Sequence, residues 1–275
     1  MSAQNQDSTA LSCVPTLSLR LPLTLKLYSQ SSLENAYDFY FCGESVDDRL
    51  YLVRNDYSQV MPDLALHSGP SRISPIIAGA SDSLPSRHID PDSDIFLWDT
   101  RQLKTMRMRT TREGKVAFTF QVEVGVGFER RNEVFSWIRV AKNDEEAGLE
   151  NGGYRFVRHP SKPRDDVQAT VDDMLWPSHD LTNEGQILAI LSYGKRWQLP
   201  TLSLWWHMCT LRFTHEDILR QIDSSVRRMI LITAARLRVL KSKGRDSGWR
   251  TREPKPEQPI RSEFSPNFQA LEHHR

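Results

Sequence analysis

The sequence predicts a mostly β protein, a closed antiparallel sheet wrapped around one C-terminal hydrophobic helix. Three observations lead there. Short β-like runs recur at barrel-like spacing from residue 17 onward. No helical period of any length appears before residue 214. The helix that follows is apolar or small nearly all round from Met229 to Ala235, and such a helix needs burial on every side. A closed sheet around it meets that need.

The first strand is read from LSLRLPLTLKL at 17–27, where leucine occupies every odd position and Arg20 and Lys26 lie on the wet side. Pro22 cannot donate to a ladder, which predicts an edge or a bulge there. Further strands are expected at Leu50–Arg54, Asp63–His67, Ile76–Ala80, Ile95–Trp98, Thr105–Thr110, Val116–Glu123, Glu133–Val140, Tyr154–Arg158, Gln186–Ser192 and Leu202–Met208. Turn signals separate them: HSGPS at 67–71, Glu113-Gly114, Asn151-Gly152-Gly153 and Tyr193-Gly194.

The helix is expected over about 215–241. Thr214 is a suitable N-cap with Asp217 three residues on, Glu216 and Asp217 suit the positive end of the dipole, and Gly244 supplies the stop. At 100° per residue Ile218, Leu219, Ile222, Val226, Met229 and Ile230 share a face. Two segments look unlike the rest. Residues 159–185 are rich in Asp, Pro, Ser and Thr and read as a loop insertion. Residues 1–15 and 244–275 read as a disordered N-terminus and a disordered basic tail, leaving one domain over 16–243.

Net charge is only +1, so no global field points to nucleic acid as a partner. The charge is unevenly placed, since residues 227–252 hold nine Lys or Arg against one acid. The cysteines (Cys13, Cys42 and Cys209) are odd in number and far apart, and no secretory leader or Asn-linked sequon occurs. A reducing, cytoplasmic compartment is expected, with or without a peripheral association with membranes. The seven-residue apolar run at 229–235 is far short of the roughly 20 residues that span a bilayer.

An ordered set of short motifs resembles fungal proteins with a tubby C-terminal-like domain, relatives of LURP-one-related and phospholipid scramblase proteins. It runs from Leu64-Ala65-Leu66-His67-Ser68-Gly69-Pro70 and Pro75-Ile76-Ile77-Ala78 to Phe135-x-Trp137-x-Arg139. Gly152-Gly153-Tyr154-Arg155-Phe156-Val157-Arg158, Ile187-Leu188-Ala189 and Met229-Ile230-Leu231-Ile232-Thr233-Ala234 complete it. The resemblance covers roughly 50–243 and implies a closed antiparallel barrel threaded by its C-terminal helix. Arg236 and Arg238 depart from it, standing where an apolar continuation is expected. Either the helix emerges from the barrel there or its register differs.

No catalytic constellation appears in its structural context. Ser192-Tyr193-Gly194-Lys195 matches S-x-x-K but ends a strand, and Gly125-Val126-Gly127 lacks a βαβ setting. His207 and Cys209 would share a strand face, near His215, but a fourth zinc ligand is missing. The pairs Asp165-Asp166 and Asp172-Asp173 lack the glycine and closing glutamate of a calcium loop. Neither enzymatic activity nor a cofactor or metal is expected.

Arginines are the better candidates. Arg107 and Arg109 alternate with Met106 and Met108, which puts both guanidinium groups on one face of a strand, and Arg112 follows closely. On the helix, Arg227 and Arg228 are adjacent, and Arg220, Arg227 and Arg238 fall on one face. Arginine forks bind phosphate bidentately, and the resemblance implies phospholipid or phosphoinositide ligands, so an anionic membrane lipid is the expected partner. The rival expectation is a protein-interaction scaffold whose tail at 244–275 folds onto a partner.

Overall fold

The computed structural model describes residues 21–30, 38–55, 62–83, 92–98, 103–111, 117–125, 131–142, 149–159, 185–194 and 205–244. Among these residues twelve antiparallel strands follow one another: β1 Thr24–Gln30, β2 Asp38–Cys42, β3 Arg49–Asn55, β4 Leu64–His67, β5 Ile76–Asp82 and β6 Ser93–Trp98. They continue with β7 Leu103–Thr111, β8 Ala117–Val124, β9 Arg131–Val140, β10 Gly153–Arg158, β11 Gln186–Tyr193 and β12 Trp205–Phe213. Each strand pairs with its sequence neighbour, and β12 closes the barrel on β1. Two helices come last, α1 Glu216–Gln221 and α2 Ser224–Ser242.

Closure leaves no edge strand among the described residues, so Pro22 has no sheet position to disturb. It stands ahead of β1, whose own ladder is entered through the Leu23 carbonyl accepting from the Phe213 N–H. The inner wall follows the period of two. Leu25 and Leu27, Phe118 and Phe120, Phe135 and Trp137, and Tyr154 and Phe156 all enter one core. Phe135 and Phe156 stack with ring centres 5.4 Å apart, and Trp137 lies 4.8 Å from Phe156. Gly153 is required where β10 meets β11, since a Cβ there would lie 1.9 Å from the Leu191 carbonyl oxygen.

The lumen is filled by α2. Every residue from Val239 back to Met229 except Arg238 is buried, and the helix touches β4, β5, β6, β8 and β12. The Trp137 indole on β9 donates across the lumen to Thr233 Oγ1 (2.8 Å), which itself donates to the Met229 carbonyl. A helix that is apolar all round is thus buried all round, as its sequence requires.

Three differences from the sequence-based expectation have physical causes. The strand β2 has no alternation because all five residues are buried: Phe39 and Phe41 face the core, while Tyr40 and Cys42 pack outside with Leu52. That outer cluster is roofed by Arg49, whose guanidinium lies 4.7 Å from the Trp205 ring centre. The expected single helix is broken after Gln221, and Asp223 restarts it by accepting from the Ser225 N–H at 2.7 Å. Thr214 caps nothing; its hydroxyl donates to the Ile187 and Leu188 carbonyls, and His215 takes the first cap without a side-chain bond.

Arg236 is the third. The helix does not emerge there: Arg236 is fully buried and bonds Ser93 Oγ (2.9 Å) and Asp82, with Asp63 3.7 Å away. The charge departs from the apolar pattern because both acids come from barrel-end positions that the helix passes. The expected insertion at 159–185 lies outside the described residues except for its ends, His159 and Gly185. The expected N-terminus at 1–15 lies outside them, and so does the tail apart from Gly244.

Candidate functional site

In β7 the alternation holds. Met108 is buried in the core, and Arg107 and Arg109 point out from the barrel wall, both exposed. Two residues along a strand, they stand about 7 Å apart. Arg107 is opposite Asp94 of β6 and donates to it from Nε at 3.2 Å, with both groups still partly in water. Arg109 is opposite Thr119 of β8. Arg112 lies outside the described residues.

The helix arginines do not join this face. Arg227 donates from Nε to the Ile222 carbonyl at the start of α2, close enough to Tyr51 for its charge to oppose the effect of burial on that phenol, whose pKa is pushed up to about 12. Arg228 is buried, and its guanidinium serves the Trp98 carbonyl, the Ser224 carbonyl and Ser225 Oγ. It fastens the helix to the end of β6 rather than facing solvent. Arg220 sits on α1 and pairs with Glu216, while Arg238 is half-buried further up α2, so the break in the helix dissolves the face expected from a continuous count.

A second basic group is assembled by the fold at the barrel mouth where α2 enters. A cleft of about 600 Å³ lies between the ends of β8–β11 and the α1–α2 junction. Its apolar lining is Val124, Phe135, Leu188, Ile222 and Val226, and its polar groups are Arg131, Glu133, Arg158, Gln221 and Asp223. Glu133 is almost completely buried, and its Oε1 accepts from Arg131 Nε at 2.7 Å and from Arg158 Nη2 at 2.5 Å. The two guanidinium groups remain partly exposed, at 62% and 36% of the side chain. Arg131-x-Glu133 carried a signal in the sequence, two charges of opposite sign on one strand face. Arg158 could be added only by the pairing of β9 with β10, which sets it opposite Phe135.

Among the described residues no group of three His, Cys, Asp or Glu is placed to hold a metal ion. His207 and Cys209, expected on one face, are turned to opposite faces. A bulge at Met208 lets Cys209 and His207 face the consecutive residues Leu27 and Tyr28. Cys209 is therefore buried in the core, where desolvation pushes its thiol up to about 12, and His207 is outside against Tyr28. On the outer wall Ser136 Oγ lies 3.0 Å from His159 Nε2 and 2.9 Å from Thr119 Oγ1. Ser136 has no exposed surface, so this pair ties β8, β9 and the end of β10 together and reaches no ligand.

No family model, no curated protein and no solved structure matches this chain. Among the described residues no helix is long and apolar enough to cross a membrane.

Proposed function

We propose that this chain is a non-catalytic, tubby-like barrel that meets anionic phospholipid head groups through the arginines of β7. One observation carries the reading: Arg107 and Arg109 stand side by side on the outer wall, held by a strand whose intervening Met108 is locked in the core. Such a strand presents two guanidinium forks at fixed spacing without prior ordering, and each fork can grip a phosphate with two parallel N–H bonds. Asp94 holds Arg107 only through a partly hydrated pair, which a phosphate can replace at little cost. The motif resemblance from Leu64 to Ala234 supports the same ligand class.

The test is co-sedimentation with liposomes that contain or lack phosphoinositide, at low and moderate salt. Each basic side chain near an anionic surface contributes about 1 kcal/mol, so replacing both Arg107 and Arg109 with Ala weakens binding roughly tenfold to thirtyfold. The melting temperature stays nearly unchanged, because both side chains are exposed. Equal sedimentation of the double variant and the parent would remove β7 from the site. Absence of sedimentation at low salt would remove the reading itself.

A further inference from the structure

The β7 arginines stand at one end of an apolar stripe on the outer wall. The β6–β7 pairing lays it out in rows: Trp98 is opposite Leu103, Phe96 opposite Thr105, and Asp94 opposite Arg107. Ile95 and Leu97 fill the core, so alternation turns Phe96 and Trp98 outward, where both keep part of their surface. Leu103 is 54% exposed beside them. The two rings lie with their centres 6.2 Å apart. Gly79 of β5 makes room for the indole. A Cβ there would come within 3.0 Å of Trp98 and 2.9 Å of Pro62, so the missing side chain lets the ring lie down on the wall. Arg228 of α2 holds the same strand end through the Trp98 carbonyl. The stripe is therefore fixed before any partner arrives.

Shape and charge together set its occupant. The outer wall of a barrel curves away from a partner, which suits a deformable bilayer better than a rigid protein surface. Residues 101–115 hold six Lys or Arg against one acid, so β7 and its flanks stay net positive with Asp94 and Glu123 set against them. Aromatic rings and a leucine beside arginines match the layering of an anionic bilayer, acyl chains below and phosphates above. Leu103 stands about 13 Å along the strand from Arg107, more than the roughly 5–8 Å depth of a head-group layer. The strand pair accordingly lies inclined on the surface, and the long arginine side chains reach back to the phosphates.

We infer that the outer wall of β6 and β7 is an interfacial membrane contact, in which Trp98, Phe96 and Leu103 enter the acyl boundary of an anionic bilayer while Arg107 and Arg109 bind its phosphates. This rests on the head-group reading of β7 and deepens it, since the partner is a bilayer surface and not a free head group.

Flotation of the full chain with phosphatidylcholine vesicles containing phosphatidylinositol bisphosphate tests this, with soluble inositol 1,4,5-trisphosphate titrated in parallel. Leu103→Ser should weaken vesicle binding about fivefold to tenfold and leave the trisphosphate affinity unchanged, because it removes apolar area alone. Thr105→Leu, which extends the stripe, should tighten vesicle binding at least about threefold. Both positions are exposed, so neither change moves the melting temperature appreciably. Vesicles whose acyl chains are brominated near the head group should quench tryptophan fluorescence, and Trp98→Phe should remove most of that quenching. Equal vesicle binding by the parent, Leu103→Ser and Thr105→Leu overturns the membrane contact and leaves the head-group reading standing. Quenching that survives Trp98→Phe intact overturns the contact too, as does a parallel loss of trisphosphate affinity in Leu103→Ser. If Leu103→Ser instead dissolves a dimer in light scattering with vesicle binding unchanged, the stripe belongs to a second copy of the chain and the contact is overturned. Absence of vesicle binding by the parent overturns both the contact and the reading beneath it.

Discussion

Arg236 carries a charge into the barrel lumen, and the hydration of its partners decides which side of the ion pair is costlier to lose. The guanidinium is completely buried, whereas the side chains of Asp63 and Asp82 are 38% and 41% exposed. If the arginine goes, both carboxylates can be hydrated. If Asp82 goes, a buried cation loses a direct partner. Asp82→Asn should therefore cost about 3–5 kcal/mol. Arg236→Met, which keeps most of the volume, should cost less than about 1.5 kcal/mol. Urea denaturation of both variants measures the difference, and equal or inverted costs would show that the ion pair does not govern this position. His159 supplies a second residue-scale prediction. Burial lowers its pKa from 6.5 in the folded state, so at pH values between the folded value and 6.5 the unfolded chain holds the extra proton. Its contribution is complete above 6.5 and is lost as pH falls from 6.5 toward the folded value. His159→Gln should thus reduce the drop in melting temperature between about pH 7.5 and about pH 5.5, a window in which histidine is the ordinary titrating side chain. An unchanged drop would place the acid sensitivity elsewhere. Neither residue's role could be read locally, because Asp82 is 154 residues from Arg236 and Ser136 is 23 from His159.

Elements were legible to the extent that they bury one face. β7 and β8 alternate because one side meets the core, and both were recognisable, including the outward placement of Arg107 and Arg109. β2 was not, because burial on both faces erases the period that marks a strand. Spacing also concealed the break between α1 and α2: Ile218, Leu219, Ile222 and Val226 keep helical intervals across it. The discriminating signal was Asp223-Ser224-Ser225, a cap sequence inside an apparently continuous helix. Asp223→Ala should cost about 1 kcal/mol in thermal or urea unfolding, while Asp223→Asn, which can still accept from the Ser225 amide, should cost a few tenths. Equal losses for Ala and Asn would mean that charge in the cleft, rather than the cap bond, sets the stability at this junction. The bulge at Met208 was equally hidden, since one inserted residue reverses every facing beyond it and turns an expected His207–Cys209 pair into an outer ring and a core thiol.

At the scale of the molecule, the helix and the barrel form one folding unit rather than a wall with an insert. Twelve strands closed around an empty lumen would leave Phe118, Phe120, Phe135, Trp137 and Tyr154 facing nothing, whereas α2 alone would expose Met229, Ile230, Leu231 and Ile232 to water on all sides. Each component supplies the other's buried surface, so neither has a stable state without the other. The chain passes from β12 through α1 into α2, and among the described residues lateral ties include Trp137 to Thr233, Arg228 to the Trp98 carbonyl, Arg236 to Ser93 and Asp82, and Lys241 over the Tyr193 ring. Opening any part of the wall wide enough to release the helix breaks at least one of these and floods the core. The amides of Met229–Leu240 should consequently exchange with solvent only through global unfolding, at the same free energy as the central amides of β9 and β10. Native-state hydrogen exchange in sub-denaturing urea measures this directly: both sets should converge on one isotherm. A lower opening free energy for α2 than for β9 and β10 would mean that the helix leaves an otherwise intact barrel, and the lumen would then be a ligand space after all.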